Sequence, residues 1–194
     1  GRLRPELYAS ELFGHRRGAF TGADQNRTGR IVQANGGDLF MDEIGNMPQD
    51  VQIGLLRVLE NREVIPVGTS DGESVDVRFL SATNEDIEVK ACTGGFRADL
   101  LDRLREGGTV FLPPLRERVE DIPLLAAKFV RDAEAANPQA LKREIAPDAI
   151  EKLRSHDWPG NVRELRNCIF SAVNNHPDVE HLVSLHIEIP KALR

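Results

Sequence analysis

The sequence predicts an alternating α/β part followed by an all-helical part, and three observations carry that prediction. Leu39-Phe40-Met41 is a short apolar run behind Gly36-Gly37 that closes on Asp42-Glu43, the pattern of a buried strand with acids at its carboxyl end. Val77-Arg78-Phe79-Leu80 is a second run, closing on Ser81-Ala82-Thr83-Asn84. After Pro113-Pro114 the strand signals largely stop and helical periodicity takes over.

The remaining elements follow in order. Pro48 suits the first turn of a helix with Val51, Leu55, Val58 and Leu59 on one stripe. Val64-Ile65-Pro66-Val67 and Val75-Asp76-Val77 flank Gly68-Thr69-Ser70-Asp71-Gly72, a hairpin with a loose loop. Phe96, Leu100, Leu101 and Leu104 mark a short amphipathic helix. Further helices are expected over about 120–136, 147–156 and 161–174, separated by Asn137-Pro138 and Trp158-Pro159-Gly160. The boundary falls near 116–120, giving an α/β part over 1–117 and a helical part over 118–194.

Composition excludes several classes. The 194 residues carry 25 Lys+Arg against 31 Asp+Glu, a net charge of −6, with 40% apolar and 29% charged residues. That share of apolar residues rules out general disorder, and the length buries a core without staples. No uninterrupted apolar run exceeds the four residues 124–127, far short of the ~20 of a membrane span. No apolar segment follows the first residues as in a secretory signal, so a cytoplasmic, membrane-free protein is expected. The acidic balance argues against nucleic acid as the main partner. Cys92 and Cys168 share no metal-ligand spacing and read as buried reduced thiols. His181 and His186 would lie about 140° apart around a helix, on no common metal face.

In open α/β sheets ligands bind outside the carboxyl ends of the strands. Of the acids at the first strand end, Asp42 can help hold Mg²⁺ and Glu43 can polarise an attacking water. A polar amide from the neighbouring strand end could orient that water. A solvated strand end is the competing reading. The phosphate-cradling pattern Gly-x-x-x-x-Gly-Lys-Ser/Thr is absent from these 194 residues, since none of Lys90, Lys128, Lys142, Lys152 and Lys191 follows a glycine. In Glu11-Leu12-Phe13-Gly14-His15-Arg16-Arg17-Gly18-Ala19-Phe20-Thr21-Gly22-Ala23, two glycines bracket an aromatic and a threonine. That describes a flexible loop with an apolar tip, or else a turn whose Phe20 tucks into the core.

Gly18-Ala19-Phe20-Thr21-Gly22-Ala23 resembles the signature loop of the bacterial enhancer-binding proteins, the NtrC-like AAA+ ATPases that activate sigma-54 RNA polymerase. The resemblance continues along the chain. The segment from Gly36-Gly37-Asp38 to Asp42-Glu43-Ile44 resembles their Walker B strand, and Ser81-Ala82-Thr83-Asn84 their first sensor. Phe96-Arg97-Ala98-Asp99-Leu100-Leu101-Asp102-Arg103-Leu104 resembles their arginine-finger helix. Leu112-Pro113-Pro114-Leu115-Arg116-Glu117-Arg118 resembles the junction to their helical lid, and Trp158-Pro159-Gly160-Asn161-Val162-Arg163-Glu164-Leu165 their second sensor.

What the resemblance implies is concrete. The fold would be an AAA+ three-layer sandwich with a mostly parallel sheet, lacking its N-terminal part, followed by a small all-α lid. The cofactors would be ATP and Mg²⁺, with Asp42 assisting the metal indirectly and Glu43 activating water. Thr83 and Asn84 would sense the terminal phosphate, and Asn84 is the stronger candidate. Arg97 and Arg103 would reach the nucleotide of a neighbouring subunit, and Arg163 the nucleotide of its own. Gly18, Ala19, Phe20, Thr21, Gly22 and Ala23 would touch the sigma factor. The partners would be sigma-54 and RNA polymerase, with self-association into a ring, a hexamer or else a heptamer. DNA would be reached only through a domain outside these residues, and a two-component system is one expected setting.

Bland readings stand beside these roles. Asp99 and Arg103 have the spacing of a surface i, i+4 pair. Asn161 and Glu164 suit a helix cap and its third position. Arg163 then falls in the first turn, where a cation is disfavoured unless a phosphate reverses the sign. Trp158 reads as lid core. The chain also departs from the family pattern. Asp38 replaces a small hydroxyl residue and adds negative charge near the expected metal site. Arg105-Glu106-Gly107-Gly108 stands where the family is more apolar, so a last strand over about 109–112 is expected to start late. By family register the residues begin after the P-loop helix and most of the second strand, so this stretch alone is expected to be inactive. A non-hydrolysing sigma-binding module is the alternative reading, and an AAA+ remodeller with another target is a third.

Overall fold

The computed structural model describes residues 5–135 and 143–189. The first four residues and the Asn137-Pro138 break lie outside them. The described residues form two compact units that divide between Thr109 and Val110.

The first unit opens with helix α1 (Pro5–Phe13), which buries Ser10, Leu12 and Phe13. Strand β1 (Gly14–His15) pairs antiparallel with β2 (Arg27–Thr28), and residues 16–26 form the loop between them. The base of this hairpin is crowded main chain: a Cβ on Gly29 would stand 2.3 Å from the Phe13 carbonyl carbon. Helix α2 (Arg30–Gln33) leads to β3 (Asp38–Met41), a 3-10 turn (Ile44–Asn46) and α3 (Gln49–Asn61). Pro48 caps α3 from outside, one step before the expected first-turn position, and Arg62 ends it with a left-handed φ of 56°. Strands β4 (Glu63–Val64) and β5 (Glu73–Ser74) form a hairpin where one was expected, with shorter arms than the expected 64–67 and 75–77, since Val67 bridges to His15 instead. Strand β6 (Arg78–Ser81) lies parallel to β3, and helices α4 (Ile87–Cys92) and α5 (Ala98–Arg105) complete the unit.

The stripe read on α3 faces the core, with Val51, Leu55 and Val58 buried beside Leu100 and Leu101 of α5. Gln52 is one of the polar residues buried in this unit. It is fully buried, and its amide donates to the Met47 carbonyl (2.8 Å) while its Oε1 accepts from the Arg97 backbone N–H (2.8 Å). A satisfied buried amide fixes geometry as well as contributing energy, and here it sets where α5 begins.

The second unit contains 3-10 turns at Leu115–Glu117 and Val119–Asp121, then α6 (Ile122–Ala135), α7 (Pro147–Arg154) and α8 (Asn161–Asn175). It is not wholly helical, because β7 (Glu144–Ile145) and β8 (His181–Leu182) pair in parallel. Trp158 is fully buried and its indole N–H donates to the Leu153 carbonyl (2.7 Å), a core role as read from the sequence. Residues 109–112 form no strand, and Val110, Phe111 and Leu112 are exposed. An apolar run becomes a strand only when a neighbour supplies ladder partners, and among the described residues none does. No helix among the described residues is long and apolar enough to cross a membrane.

The cysteines part company with the expectation that both are buried. Cys168 is buried in α8, whereas Cys92 is exposed at the end of α4. Burial pushes the Cys168 thiol up to about 11, with Glu164 adding to the rise. At pH 8 about one Cys168 thiol in a thousand is ionised, and the thiolate is the nucleophile. Iodoacetamide at pH 8 is therefore expected to modify Cys92 rapidly in the native protein and Cys168 only after denaturation, as peptide mass mapping would show.

Candidate functional site

The two strand ends singled out in the sequence meet. Met41 pairs with Ser81 in the β3–β6 register, and the ladder continues beyond both strands. The Ala82 N–H donates to the Met41 carbonyl and the Ile44 N–H to the Ala82 carbonyl, each at 2.9 Å. Asp42-Glu43 and Thr83-Asn84 therefore leave adjacent parallel strands at the same end, all four exposed. Asp42 Oδ1 accepts from the Glu43 backbone N–H (2.9 Å), and Glu43 sits in the left-handed region at φ 51°. A non-glycine residue there costs about 1–2 kcal/mol, a strain held by the main-chain bonds on either side.

Thr83 and Asn84 are not equivalent. Thr83 Oγ1 accepts from the Glu85 N–H (3.1 Å) and lies beside Gly45, where an added Cβ would come within 2.9 Å of it. Lys90 closes this corner, donating to the Gly45 carbonyl (2.9 Å) and pairing with Glu85. Asn84 has no hydrogen-bond partner among the described residues, nor do the carboxylates of Asp42 and Glu43 have an ion-pair partner there. These three side chains are open for a ligand.

Asp38 is at the other end of the strand. Its carboxylate takes a bidentate pair of bonds from Arg78 (2.7 and 2.9 Å), its register partner on β6. The expected added negative charge near the metal site is thus corrected: four residues of strand, about 13 Å, and a guanidinium stand between.

The arginines are held differently from the expected pairing. Asp99 does not meet Arg103. Arg97, at the cap of α5, places its guanidinium on Asp99 (3.0 and 2.6 Å), and Arg103 bonds Glu106 (2.7 and 2.5 Å). An i, i+2 partner at the helix start and an i, i+3 partner at its end displace the i, i+4 pair. Arg103 also reaches the Leu59 carbonyl (3.4 Å) and borders an open cleft of about 310 Å³ with Arg62, Phe79 and Glu106. Arg163 is exposed in the first turn of α8 and has no partner among the described residues. The cap expected from Asn161 is not made. Asn161 has φ 52° and spends its Oδ1 on the Leu115 N–H (2.8 Å), while Glu164 accepts from the Gly160 N–H (2.8 Å).

The loop over residues 16–26 does not carry an apolar tip. Phe20 is half-buried and folded back, its ring meeting the His15 imidazole edge-on with centroids 5.0 Å apart. Ala23 is buried, whereas Gly18, Thr21 and Gly22 are exposed. Ser10, hydrogen-bonded to His15 at 2.6 Å, is the part of this arrangement that no periodicity or motif pointed to.

The first unit carries polar residues at the ends of adjacent parallel strands and a glycine-bracketed loop, the second is a compact, mostly helical unit, and comparison with known proteins gives the family. Residues 1–109 match the sigma-54 interaction domain, and residues 116–189 match the AAA+ ATPase lid domain. The chain belongs to the sigma-54 interaction domain family. It is 48% identical over 171 residues to the transcriptional regulatory protein ZraR of Salmonella typhimurium, covering 88% of this chain and 38% of that protein. It is 48% identical to the Nif-specific regulatory protein of Herbaspirillum seropedicae, covering 86% of this chain and 30% of that one. The crystal structure of NtrX from Brucella abortus in complex with ATP superposes with a TM-score of 0.84 at 33% identity, over 99% of this chain and 43% of that one. The ADP complex gives 0.82 over the same shares. The chain thus spans well under half of the length of these relatives.

The Arg97–Asp99 pair has a measurable consequence. The side-chain hydrogen bond from Arg97 holds the Asp99 carboxyl below its ordinary value. A depressed carboxylate contributes stability above its unfolded pKa of about 4, and that contribution is lost as the pH falls towards the folded value. Asp99→Asn is expected to flatten the acid-side fall in thermal stability between about pH 5 and pH 3, read by circular dichroism.

Proposed function

We propose that this chain is the ATP-using, sigma-54-engaging core of a transcriptional activator, in which turnover at subunit interfaces moves the loop over residues 18–23 against the sigma factor. The observation that carries the reading is the meeting of Asp42, Glu43 and Asn84, all open, at one end of the parallel β3–β6 pair. The functional division would follow the α/β part over 1–117 and the lid over 118–194.

The residues present fit ATP with Mg²⁺. Two unpaired carboxylates on consecutive residues offer the hard oxygen ligands that Mg²⁺ takes through few protein contacts and several waters. When bound, the metal neutralises charge on the phosphates and the nucleotide supplies the bond to be broken. Asp42 would hold the metal's water shell. Glu43 would accept a proton from the attacking water. Asn84 would orient that water or report the terminal phosphate, and Thr83 would hold the turn from which Asn84 projects. Arg163 would bind phosphate from the first turn of α8, where helix end and guanidinium both favour an anion. Arg97 and Arg103 would exchange Asp99 and Glu106 for the nucleotide of a neighbouring subunit in a hexameric ring, and Phe20 and Thr21 would meet sigma-54. RNA polymerase as the final target puts the activity in the cytoplasm of a bacterium.

In the full-length protein Glu43→Ala is expected to abolish ATP turnover while leaving nucleotide binding intact. Retained turnover in that variant would remove Glu43 from the mechanism. Phe20→Ala should largely keep turnover and lose sigma-54 binding and promoter opening. A proportional fall in turnover and opening would count against the loop assignment. An arginine finger is typically worth about 10³–10⁵ in rate, so Arg103→Ala should be close to inactive in turnover.

A further inference from the structure

The base of the loop holds a buried polar pair that the proposed cycle does not use. Ser10 on α1 is 1% exposed and His15 on β1 is 9% exposed, with Ser10 Oγ 2.6 Å from His15 Nδ1. The backbone that carries the imidazole is held on both sides. β1 is paired to β2 on one side and to Val67 on the other, where the Arg16 N–H donates to the Val67 carbonyl and the Val67 N–H to the Gly14 carbonyl, both at 3.0 Å. Among the described residues, the ring packed against the imidazole is Phe20, edge-on at 65°.

Phe20, in contrast, is carried on a segment with few steric constraints. Gly18 and Gly22 stand on either side of it with φ of 83° and 95°, and a Cβ at either would meet nothing within 4 Å. Main-chain bonds close the segment, from the Gly18 N–H to the Ala23 carbonyl (2.8 Å), the Ala19 N–H to the Arg16 carbonyl (3.1 Å) and the Ala23 N–H to the Phe20 carbonyl (3.0 Å). A ring on held backbone below and two permissive glycines around a half-buried ring describe a dock and a hinged arm.

We propose that Ser10 and His15 are positioning residues for the loop: Ser10 orients the imidazole, the imidazole holds Phe20 down, and engagement of sigma-54 requires Phe20 to leave it. The last clause rests on the reading of Phe20 as the sigma-contacting residue. The first two are properties of the chain alone. Losing the dock therefore loosens the loop and removes the cost of undocking from sigma-54 binding.

Hydrogen exchange in the full-length protein tests it, read at the amides of Gly18, Ala19 and Ala23 and, as a control, through α3. His15→Ala is expected to speed exchange in the loop about three- to tenfold, the weight of one edge-to-face ring pair, and to leave α3 unchanged. Ser10→Ala should act in the same direction and less strongly. The double variant Ser10→Ala with His15→Phe should restore protection, because it keeps a ring edge under Phe20 and leaves no buried polar atom unpaired. Unchanged loop exchange in His15→Ala, an equal rise through α3, or no restoration in the double variant would overturn the dock. Purified sigma-54, titrated without nucleotide, should bind His15→Ala more tightly by the same factor, and unaltered affinity would overturn the coupling. If Phe20→Ala binds sigma-54 normally, the loop assignment fails rather than the dock, which exchange reads with no partner present.

Discussion

Main-chain hydrogen bonds between β3 and β6 do not stop where the strands do. The bonds from Ala82 to Met41 and from Ile44 to Ala82 carry the parallel ladder one step further, into the turns that hold Asp42-Glu43 and Thr83-Asn84. Two segments about 40 positions apart in the chain are thereby locked at the same height on one side of the sheet. A slip of one residue would turn every side chain to the opposite face, and the open acids and the open amide would no longer leave the sheet at the same height. The left-handed backbone of Glu43 and the glycine at 45, packed against Thr83 and Glu85, are both consequences of that shared edge.

The side chains of interest fall into two physical groups. Among the described residues, Asp42, Glu43, Asn84 and Arg163 have no ion-pair or side-chain hydrogen-bond partner beyond their own residue neighbours, and these are the residues proposed to act on nucleotide in their own subunit. Arg97, Arg103 and Phe20 are each held by a nearby group, Asp99, Glu106 and His15, and these are proposed to act on another molecule. Exposed ion pairs are weak and exchangeable, as is a single edge-to-face ring contact. A group meant to reach across an interface can therefore be parked on a local partner at little cost. Glu106 is instructive, because it lies in the stretch that departs from the family pattern and serves as the local counterion of Arg103.

Much of the fold was legible because its elements are periodic or punctuated. The stripe of α3, the hairpin around residues 68–72, the two strand ends and the helices of the second unit all announce themselves by spacing and breakers. The elements that were not legible are short or depend on distant partners. Helix α1 and the two-residue strands β1 and β2 carry too few residues for a period to show. Residues 109–112 have the composition of a strand and are not one, since a strand is a relation between two segments and composition describes one. The cap at α8 was misassigned for a similar reason: Asn161 is a good capping residue, and a longer-range donor at Leu115 took its oxygen.

The sequence by itself determined the family, because its motifs stand in family order along the chain, and it supplied the side chains proposed to react. It also determined that no phosphate-loop lysine lies within these 194 residues. Only the tertiary structure decided which charges neutralise which. Asp38 finds Arg78 across the sheet rather than weighing on the metal site, Asp99 finds Arg97 rather than Arg103, and Phe20 rests on a histidine rather than standing at a loop tip. Spacing along a chain sets which partners are within reach. Which partner wins depends on helix caps, strand register and backbone packing, and these exist only once the chain has folded.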